Sequence, residues 1–233
     1  MSMPVLALLA GGLATRLGPL SSSTPKSLVN VAGRPFIHHQ LTWLAAAGIT
    51  DLVVCAGYLG EKIRDFSGDG SRYGLRLRYS FDGEKLLGTG GALKKALPLL
   101  SDPFFTLYGD SYLDLPLDEV LSAFKASGKP GLMSVWRNEG QLGPSNVDFE
   151  SGLVRSYEKQ KPDPNMRYID YGLGLLSKAA FEGEDREAFD LSELFSRLAR
   201  GSGLAGYESL QRFYEIGSVE GLEETERLIQ SRA

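Results

Sequence analysis

The sequence predicts an α/β fold of the Rossmann-like, doubly wound type, with a mostly parallel (mixed) central sheet flanked by helices. Short apolar segments alternate along the chain with segments of helical periodicity, an order typical of strand–helix–strand units. The first apolar run, Val5 to Ala10, stops at Gly11-Gly12. Continuous apolarity that ends at glycine is typical of a strand buried on both faces of a parallel sheet.

The elements of the first half follow one another in regular order. Pro35 opens a helical pattern that we expect to stop at Gly48, because proline favours the start of a helix and glycine its C-terminal end. The glycines of 88–91 lead into a later helix over 92–100. The other elements predicted in this half are a helix over 60–66 and strands over 51–56, 75–79 and 104–108.

The second half is less regular, but it contains no flexible linker, internal repeat or low-complexity tract. We therefore expect a single domain over 1–233, whose second half extends the first sheet. The strands predicted here cover 131–136, 146–150, 153–157 and 168–176, and the helices cover 190–200 and 219–229.

Composition excludes several classes of protein. The net charge of −4 argues against a nucleic-acid-binding surface, which is usually basic. The one cysteine, Cys55, lies in an apolar run, where we expect it to be buried, and it cannot form an internal disulfide. No apolar stretch approaches the roughly 20 residues that span a bilayer, and the apolar N-terminus lacks the basic residues of a signal peptide. These features predict a cytoplasmic protein with no membrane partner.

A glycine pair and two basic residues follow the first predicted strand. The amides of Gly11 and Gly12 can approach phosphate oxygens because no Cβ stands in the way. Arg16 adds a guanidinium that binds phosphate with paired hydrogen bonds, and Lys26, after Pro25, adds a compact positive charge. The segment lacks the spacing of the dinucleotide fingerprint and the ending of a Walker A loop. It predicts a triphosphate-binding loop of another kind; a plain turn with a surface arginine is the alternative.

These motifs, in this order, resemble the start of the sugar-1-phosphate nucleotidylyltransferases. Residues 9–17, Pro25-Lys26 and 31–37 carry the first part of the resemblance, and it continues through most of the chain. Each motif is modest, but their shared order is specific. The later motifs are Gly57-Tyr58-Leu59-Gly60-Glu61, Leu87-Gly88-Thr89-Gly90-Gly91-Ala92, Tyr108-Gly109-Asp110-Ser111, Glu158-Lys159 and Ile216-Gly217-Ser218-Val219-Glu220.

The resemblance implies an enzyme that joins a nucleoside triphosphate (NTP) to a sugar 1-phosphate, with a fold of the nucleotide-diphospho-sugar transferase type. It implies a nucleotide-binding half over 1–112, and a sugar-binding half with the C-terminal helix over 113–233. The catalytic residues implied are Arg16, Lys26 and Asp110. The nucleotide-binding residues implied are Leu8, Ala10, Gly11, Gly12, Gly57, Gly88, Thr89 and Gly90.

A metal site is expected where Asp110 follows an apolar strand. Its carboxylate would repel the triphosphate unless a cation lay between them, and Mg²⁺ commonly binds one or two carboxylates together with substrate phosphates. The second carboxylate would be Glu215, where the resemblance places an aspartate. Glu215 as a charge at the start of a helix is the alternative. No nucleophile–base pair is needed, and we expect His38 and His39 to be structural or exposed.

The acceptor site implied by the resemblance contains Asn146, Glu158, Lys159, Asp170 and Gly172. The family's Asn-Ala-Gly stands here as Asp170-Tyr171-Gly172, and an aspartate accepts from sugar hydroxyls but does not donate as an asparagine amide does. Asn146 is the candidate for the missing amide.

Several alternatives stay open at this point. The motif at 87–92 favours GTP with D-glycero-D-manno-heptose 1-phosphate or mannose 1-phosphate, as in the short guanylyltransferases. Uridylyl or thymidylyl transfer to another sugar 1-phosphate, such as N-acetylmuramate or glucose 1-phosphate, is the alternative. A cytidylyltransferase for phosphocholine would need an aromatic cage, for which Tyr157, Tyr168 and Tyr171 are the candidates. A third alternative is a protein that binds nucleotides without catalysing the transfer. We expect any homo-oligomer to form through the catalytic domain.

Overall fold

The computed structural model describes residues 3–12, 24–161 and 163–232. The α-helices are α1 (Phe36–Ala46), α2 (Gly60–Ser67), α3 (Gly88–Ala96), α4 (Leu117–Ser127), α5 (Leu191–Arg200) and α6 (Val219–Ser231). The strands are β1 (Leu6–Leu9), β2 (Asn30–Val31), β3 (Arg34–Pro35), β4 (Asp51–Ala56), β5 (Arg76–Phe81), β6 (Phe104–Tyr108), β7 (Ser111–Tyr112), β8 (Gly131–Arg137), β9 (Val147–Glu150), β10 (Leu153–Tyr157), β11 (Tyr168–Leu176), β12 (Leu204–Ser209) and β13 (Tyr214–Glu215).

The described residues form a nine-stranded mixed sheet in the order β5-β4-β1-β6-β11-β8-β12-β10-β9. The strands β5, β4, β1 and β6 are parallel. Beyond β6 the pairings are mostly antiparallel, with β12 parallel to β8. Because β11 lies directly beside β6, the predicted halves share one sheet. This confirms the predicted α/β fold with a mixed central sheet.

Helices cover both faces of this sheet. Alternate residues of β1 point to opposite faces, as a strand requires: Leu6 and Leu8 pack with α1, α2 and α4, whereas Ala7 and Leu9 pack with α3 and α5. Since both faces are buried, β1 needs a continuous apolar run, which is the pattern in the sequence. The helix α6 packs apart from both layers, in a smaller cluster that includes Val31, Phe36 and Ile229.

Most predicted elements are present. The short strands β2, β3, β7 and β13 were not predicted, and three larger differences follow. The helix α3 begins at Gly88 rather than at Ala92, and its predicted end is a separate 3-10 turn over Leu97–Leu99. The helix α4 and the strand β12 were not predicted, although they complete the two layers. Cys55 is 1% exposed, which confirms the predicted burial. In the part of the chain that the structure describes, no helix combines the length and apolarity that a membrane crossing requires.

Candidate active site

The site lies where β1 and β6 end side by side. These strands are parallel and in register, with Leu9 opposite Tyr108. Gly109 continues from β6 and donates its backbone N–H to the Leu9 carbonyl at 2.9 Å. The carboxyl ends of neighbouring parallel strands form the usual ligand-binding edge of such a sheet. Asp110 is therefore placed at that edge, next to the start of the predicted phosphate loop.

A two-residue ladder brings Glu215 to Asp110. Strand β13 pairs antiparallel with β7, with Glu215 opposite Ser111. The Ile216 N–H donates to the Asp110 carbonyl at 3.0 Å. Residues that are 105 positions apart in the sequence thus become neighbours, and the two carboxylates expected to hold a metal lie on adjoining backbone segments.

Lys26 completes this charged group. Its Nζ donates to Asp110 Oδ2 at 2.6 Å, and the two side chains are only 14% and 28% exposed. A Cβ built on Gly217 would lie 3.1 Å from Glu215 Oε1 and 3.3 Å from Lys26 Nζ. Both charged ends therefore border the same small space beside Gly217. The Lys26 ammonium thus balances the charge of the Asp110 and Glu215 carboxylates at the place where the sequence predicts a metal cation.

The donor set fits Mg²⁺. Carboxylate oxygens are hard ligands, and Mg²⁺ usually keeps water and substrate phosphates among its ligands. Within residues 3–12, 24–161 and 163–232, no cluster of three or more histidine, cysteine or acidic side chains is placed to enclose a metal. Asp110 and Glu215 would therefore hold the ion only together with oxygens that the substrate brings.

Gln40 on α1 fixes the backbone on both sides of Asp110. Its Nε2 donates to the Ser111 carbonyl at 2.8 Å and to the Tyr108 carbonyl at 3.2 Å. The side chain is fully buried. Sequence reasoning identified Gln40 only as part of the helical pattern; an amide on the apolar face of a helix was the available signal, since a buried polar group needs partners.

Two cavities meet at Tyr108 and Asp110. The small cavity has a volume of about 220 Å³ and lies at the ends of β1 and β6. The large cavity measures about 670 Å³ and lies between the ends of β10 and β11 and the start of α6. A substrate in each would meet the other beside Asp110, so the arrangement suits a transfer between two molecules.

The structure brings many predicted residues to these cavities. Those lining the small cavity are Ala10, Gly12, Lys26, Thr89 and Asp110. Those lining the large cavity are Asp110, Asn146, Lys159, Asp170, Gly172 and Glu215. Their binding roles remain predictions.

Other predicted residues lie elsewhere. Leu8 is fully buried within β1 and lines neither cavity, because the sheet encloses it on both sides. Glu158 is exposed, and its carboxylate accepts from the Gln160 N–H at 3.1 Å instead of facing the large cavity. Gly11 and Gly57 lie close to each other, outside both linings. Arg16 falls outside the described residues.

The glycines of 88–91 have a structural role that the sequence did not reveal. A Cβ on Gly88 would lie 2.6 Å from the Phe189 carbonyl oxygen, and one on Gly90 would lie 2.2 Å from the Phe189 ring. The Gly90 N–H donates to the Phe189 carbonyl at 3.0 Å, and the Phe189 N–H donates to the Leu87 carbonyl at 2.9 Å. We call these two segments, 87–91 and 187–191, the glycine junction. Close packing between the two halves therefore requires Gly88 and Gly90; a role for them in nucleotide binding remains a prediction.

Thr89 and Asp190 connect the glycine junction to the cavities. Thr89 Oγ1 accepts from the Leu191 N–H at 2.8 Å and also lines the small cavity. Asp190 caps α5 by accepting from the Ser192 N–H at 2.9 Å. Lys159 lies 3.8 Å from Asp190 Oδ1 and 5.8 Å from the centre of the Tyr108 ring. The predicted acceptor-binding lysine is thus placed between the cavities by groups from both halves.

Asp170 is held inside the wall of the large cavity. Its Oδ1 accepts from the Gly172 N–H at 2.9 Å, and its Oδ2 accepts from the Tyr157 hydroxyl at 3.0 Å. Burial raises the pKa of Asp170, and burial also raises the pKa of Tyr157 and Tyr108 beside it. Both carboxylate oxygens have partners within the protein, so Asp170 is first of all a structural acceptor.

Asn146 anchors the same wall. Its Oδ1 accepts from the Asp170 backbone N–H at 3.0 Å. Among the described residues its Nδ2 has no hydrogen-bond acceptor, so a donor remains for a ligand in the large cavity. The role of Asn146 as the amide that recognises the acceptor remains a prediction.

The three tyrosines named as candidates for an aromatic cage do not line one cavity together. Tyr157 and Tyr171 line the large cavity, but Tyr171 is fully buried and Tyr157 is 4% exposed, and their rings pack edge-on against Phe213 and Phe195 in the order Tyr171 to Phe213 and Tyr157 to Phe195. Tyr168 packs against Phe149 and lines neither cavity. A cage for a quaternary amine would therefore lack Tyr168. His38 and His39 are half-buried, and each contacts its neighbours by a hydrogen bond.

Two solved structures share this fold. HddC from Yersinia pseudotuberculosis, solved with GMP-PN, superposes with a TM-score of 0.83 at 23% identity, over 97% of this chain and 100% of that one. The inositol-1-phosphate CTP transferase of T. maritima superposes with a TM-score of 0.79 at 19% identity, over 99% and 96%.

Sequence comparison gives closer relatives. N-acetylmuramate alpha-1-phosphate uridylyltransferase of Neisseria meningitidis is 32% identical over 95% of this chain and 96% of that protein. The catalytic subunit beta of mannose-1-phosphate guanylyltransferase from Xenopus tropicalis is 31% identical over 90% of this chain, which spans 60% of that subunit. The family model for nucleotidyl transferases matches residues 6–193, which include both strand ends, Lys26 and Asp110. The chain therefore belongs to the nucleotidyl transferase family.

Proposed function

We propose that this protein transfers a nucleoside monophosphate from an NTP to a sugar 1-phosphate, giving an NDP-sugar and pyrophosphate. The observation that carries the proposal is the placement of Lys26, Asp110 and Glu215 where the two cavities meet. These charged groups can act on the α-phosphorus of an NTP bound in the small cavity while the acceptor approaches it from the large cavity.

The reaction needs positioning and charge neutralisation rather than a nucleophilic side chain. An oxygen of the sugar phosphate attacks the α-phosphorus of the NTP, the new oxygen–phosphorus bond forms, and the bond to the β-phosphate oxygen breaks to release pyrophosphate. The attacking group is already an anion, so no general base is required. Positioning two bound reactants and stabilising their charge supply the rate enhancement in such transfers.

The described residues divide this work. Lys26 contacts Asp110 and lines the small cavity, where its ammonium is suited to bind the α-phosphate. Lys159 borders the large cavity and is suited to bind the acceptor phosphate. Asp110 and Glu215 would hold Mg²⁺, which when bound neutralises the charge of the triphosphate. Arg16 is proposed to bind the β- and γ-phosphates, on its position in the sequence.

For the substrates, we propose GTP with mannose 1-phosphate or D-glycero-D-manno-heptose 1-phosphate. The 31% identity with the mannose-1-phosphate guanylyltransferase subunit and the motif at 87–92 support this choice. UTP with N-acetylmuramate 1-phosphate is the second candidate, supported by 32% identity over nearly the whole length of the uridylyltransferase.

A matrix of nucleotides and acceptors tests these proposals. Each of GTP, UTP, CTP, ATP and dTTP is incubated with each sugar 1-phosphate and Mg²⁺, and pyrophosphate release is measured. We expect release with at least one pair, its loss on addition of a chelator, and its loss in an Asp110→Asn variant. Binding of nucleotides without release for every pair would contradict the transfer, whereas release with UTP alone would overturn only the choice of base.

A further inference from the structure

A third cavity lies away from the proposed active site, between α1 and the segment that follows α2. It has a volume of about 480 Å³, within the usual range for small-molecule sites. Arg34, Pro35 and His38 form one wall, and Phe66, Arg72 and Tyr73 form the other. We call this cavity the cationic cleft. None of its eight lining residues is acidic, although the chain as a whole has more acidic than basic residues.

The positive charges of the cationic cleft lack carboxylate partners among the described residues. Arg34 is exposed and forms no hydrogen bond or ion pair there. Burial lowers the pKa of His38, and the neighbouring charges of His39, Arg34 and Arg72 lower it further. His39, Arg34 and Arg72 therefore all lie close enough to His38 for their positive charges to disfavour its protonation. Residues 13–23, which the structure does not describe, include no acidic residue that could balance them.

Arg72 is already held in position. Its guanidinium donates to the Phe66 carbonyl at 2.6 Å and lies over the rings of Phe66 at 4.4 Å and Tyr73 at 4.8 Å. The Tyr73 hydroxyl lies 3.3 Å from His38 Nδ1. An arginine that is fixed before a ligand arrives loses less conformational freedom on binding. The remaining N–H groups of Arg72 and the exposed guanidinium of Arg34 can then donate to one ligand.

We propose that the cationic cleft binds the phosphoryl group of a small phosphate monoester, separately from the active site. Two guanidinium groups suit a dianionic phosphate, which accepts paired, charge-assisted hydrogen bonds. The apolar surfaces of Pro35, Ala45 and Phe66 would contact the organic part of the ligand. Because the rings of Phe66 and Tyr73 are already covered by Arg72, the cleft favours a compact aliphatic ester over a stacked aromatic one.

The cleft shares helix α1 with the active site. His38 and Thr42 lie on the face of α1 that borders the cleft. Gln40, between them in sequence, points to the other side and holds the backbone on both sides of Asp110. His39 Nε2 lies 2.8 Å from the Val31 carbonyl and so ties α1 to the hairpin that carries Arg34. A ligand in the cleft would thus contact the helix that positions the catalytic carboxylate.

The two histidines of the chain make the test specific. His38 lines the cleft and His39 adjoins it, and the sequence has no other histidine. We would label histidine with ¹³C in the full chain and titrate methyl phosphate or inorganic phosphate at about pH 7.5, where these ligands are mostly dianionic. Sodium chloride at matched ionic strength is the reference. We expect a saturable shift of the His38 resonance with both phosphates, and a rise in its pKa of about one unit or more when the dianion is bound.

Variants separate binding from general charge effects. Arg34→Gln removes an exposed, unpaired cation, so it should fold normally and weaken methyl phosphate binding about tenfold. Arg72→Gln should weaken it similarly, and thermal unfolding would report any loss of its packing contacts. Arg155→Gln is the matched control, because Arg155 pairs with Glu150 on the β9–β10 hairpin. Arg34→Gln should also leave pyrophosphate release unchanged without added phosphate ester.

Three results would overturn the proposal. The first is a His38 shift no larger with the phosphates than with chloride. The second is unchanged binding in both Arg34→Gln and Arg72→Gln. The third is a loss of basal turnover in correctly folded Arg34→Gln, because the cleft would then belong to the active site.

Discussion

The two cavities of the active site are built in different ways. The small cavity lies on the ends of parallel strands, and Leu9, Ala10 and Gly109 are among its ten lining residues. The large cavity is three times as large, and residues from antiparallel strands and from loops line most of it. Backbone groups bind a triphosphate with little dependence on residue type, whereas side chains decide which acceptor fits. We therefore propose that the small cavity binds the triphosphate and that the large one selects the acceptor.

The largest effect should come from the carboxylate that both cavities share. Asp110→Asn removes the charge that would hold Mg²⁺, and we expect kcat to fall about 10²- to 10³-fold, as when a charge-stabilising group is lost elsewhere. Pyrophosphate release measures it. Asp114→Asn is the control, because Asp114 is exposed and pairs with Arg232 at the surface. Wild-type turnover in Asp110→Asn would exclude Asp110 as a metal ligand.

The next effect separates packing from binding within the glycine-rich segments. Gly90→Ala places a Cβ against the Phe189 ring, so we expect a loss of about 1–3 kcal/mol in the free energy of unfolding. A Cβ on Gly12 meets no atom within 4 Å. Gly12→Ala should therefore keep its stability and raise the KM for the NTP. Denaturant unfolding and the KM for the NTP are measured on both variants. A Gly90→Ala variant as stable as wild type would contradict the packing role of Gly90.

A smaller effect is expected for Lys159, which lines the large cavity proposed to bind the acceptor. Lys159→Met removes a cation that lies between the cavities, and we expect the KM for the sugar 1-phosphate to rise about tenfold, the size typical of one charged hydrogen bond. The KM for the NTP should hardly change. Lys161→Met, an exposed neighbour, is the control. Equal increases in both KM values would argue that Lys159 does not discriminate between the two substrates.

The smallest effect concerns Asp170, a half-buried carboxylate in the wall of the large cavity. Burial raises the pKa of Asp170. An acid with a raised pKa in the folded state stabilises the fold fully below its unfolded pKa of about 3.9, and that contribution is lost as the pH rises through the folded value. Asp170→Asn does not titrate. The stability of wild type relative to this variant should therefore increase as the pH falls from 8 towards about 4.

Denaturant unfolding across this pH range measures the effect. Asp163→Asn, at an exposed loop position, serves as the control and should follow wild type. A relative stability that stayed constant with pH would show that Asp170 titrates at the same pH in the folded and unfolded chains.

The sequence predicted the parallel half of the fold more completely than the rest. Strands such as Leu6–Leu9 and Asp51–Ala56 are buried on both faces, so their composition alone identifies them. Helix α4 carries apolar residues at Leu117, Val120, Leu121 and Phe124, a helical spacing that was available but not used. Strand β12 has no such pattern, because Gly206 and Glu208 interrupt it.

The candidate site likewise combines residues that the sequence predicted with contacts that it did not. Lys26 and Asp110 follow recognisable local motifs, and the structure places them 2.6 Å apart. The contacts of Gln40 with the Asp110 turn and of Phe189 with Gly90 join segments 71 and 99 residues apart, so no local pattern encodes them. Glu158 lies outside the large cavity because its carboxylate accepts from the Gln160 N–H two residues further along the loop, and its role in sugar binding stays a prediction.

The ladder between β13 and β7 also sets the order in which the site is completed during synthesis. All nine strands of the main sheet have been made once the ribosome reaches Ser209, but Glu215 is added later and docks through only two ladder residues. A chain that has reached Ser209 therefore contains every strand of the main sheet, whereas the second proposed metal ligand lies beyond them in the sequence. Metal binding through both carboxylates would thus depend on the docking of β13 against β7 as well as on the folding of the main sheet.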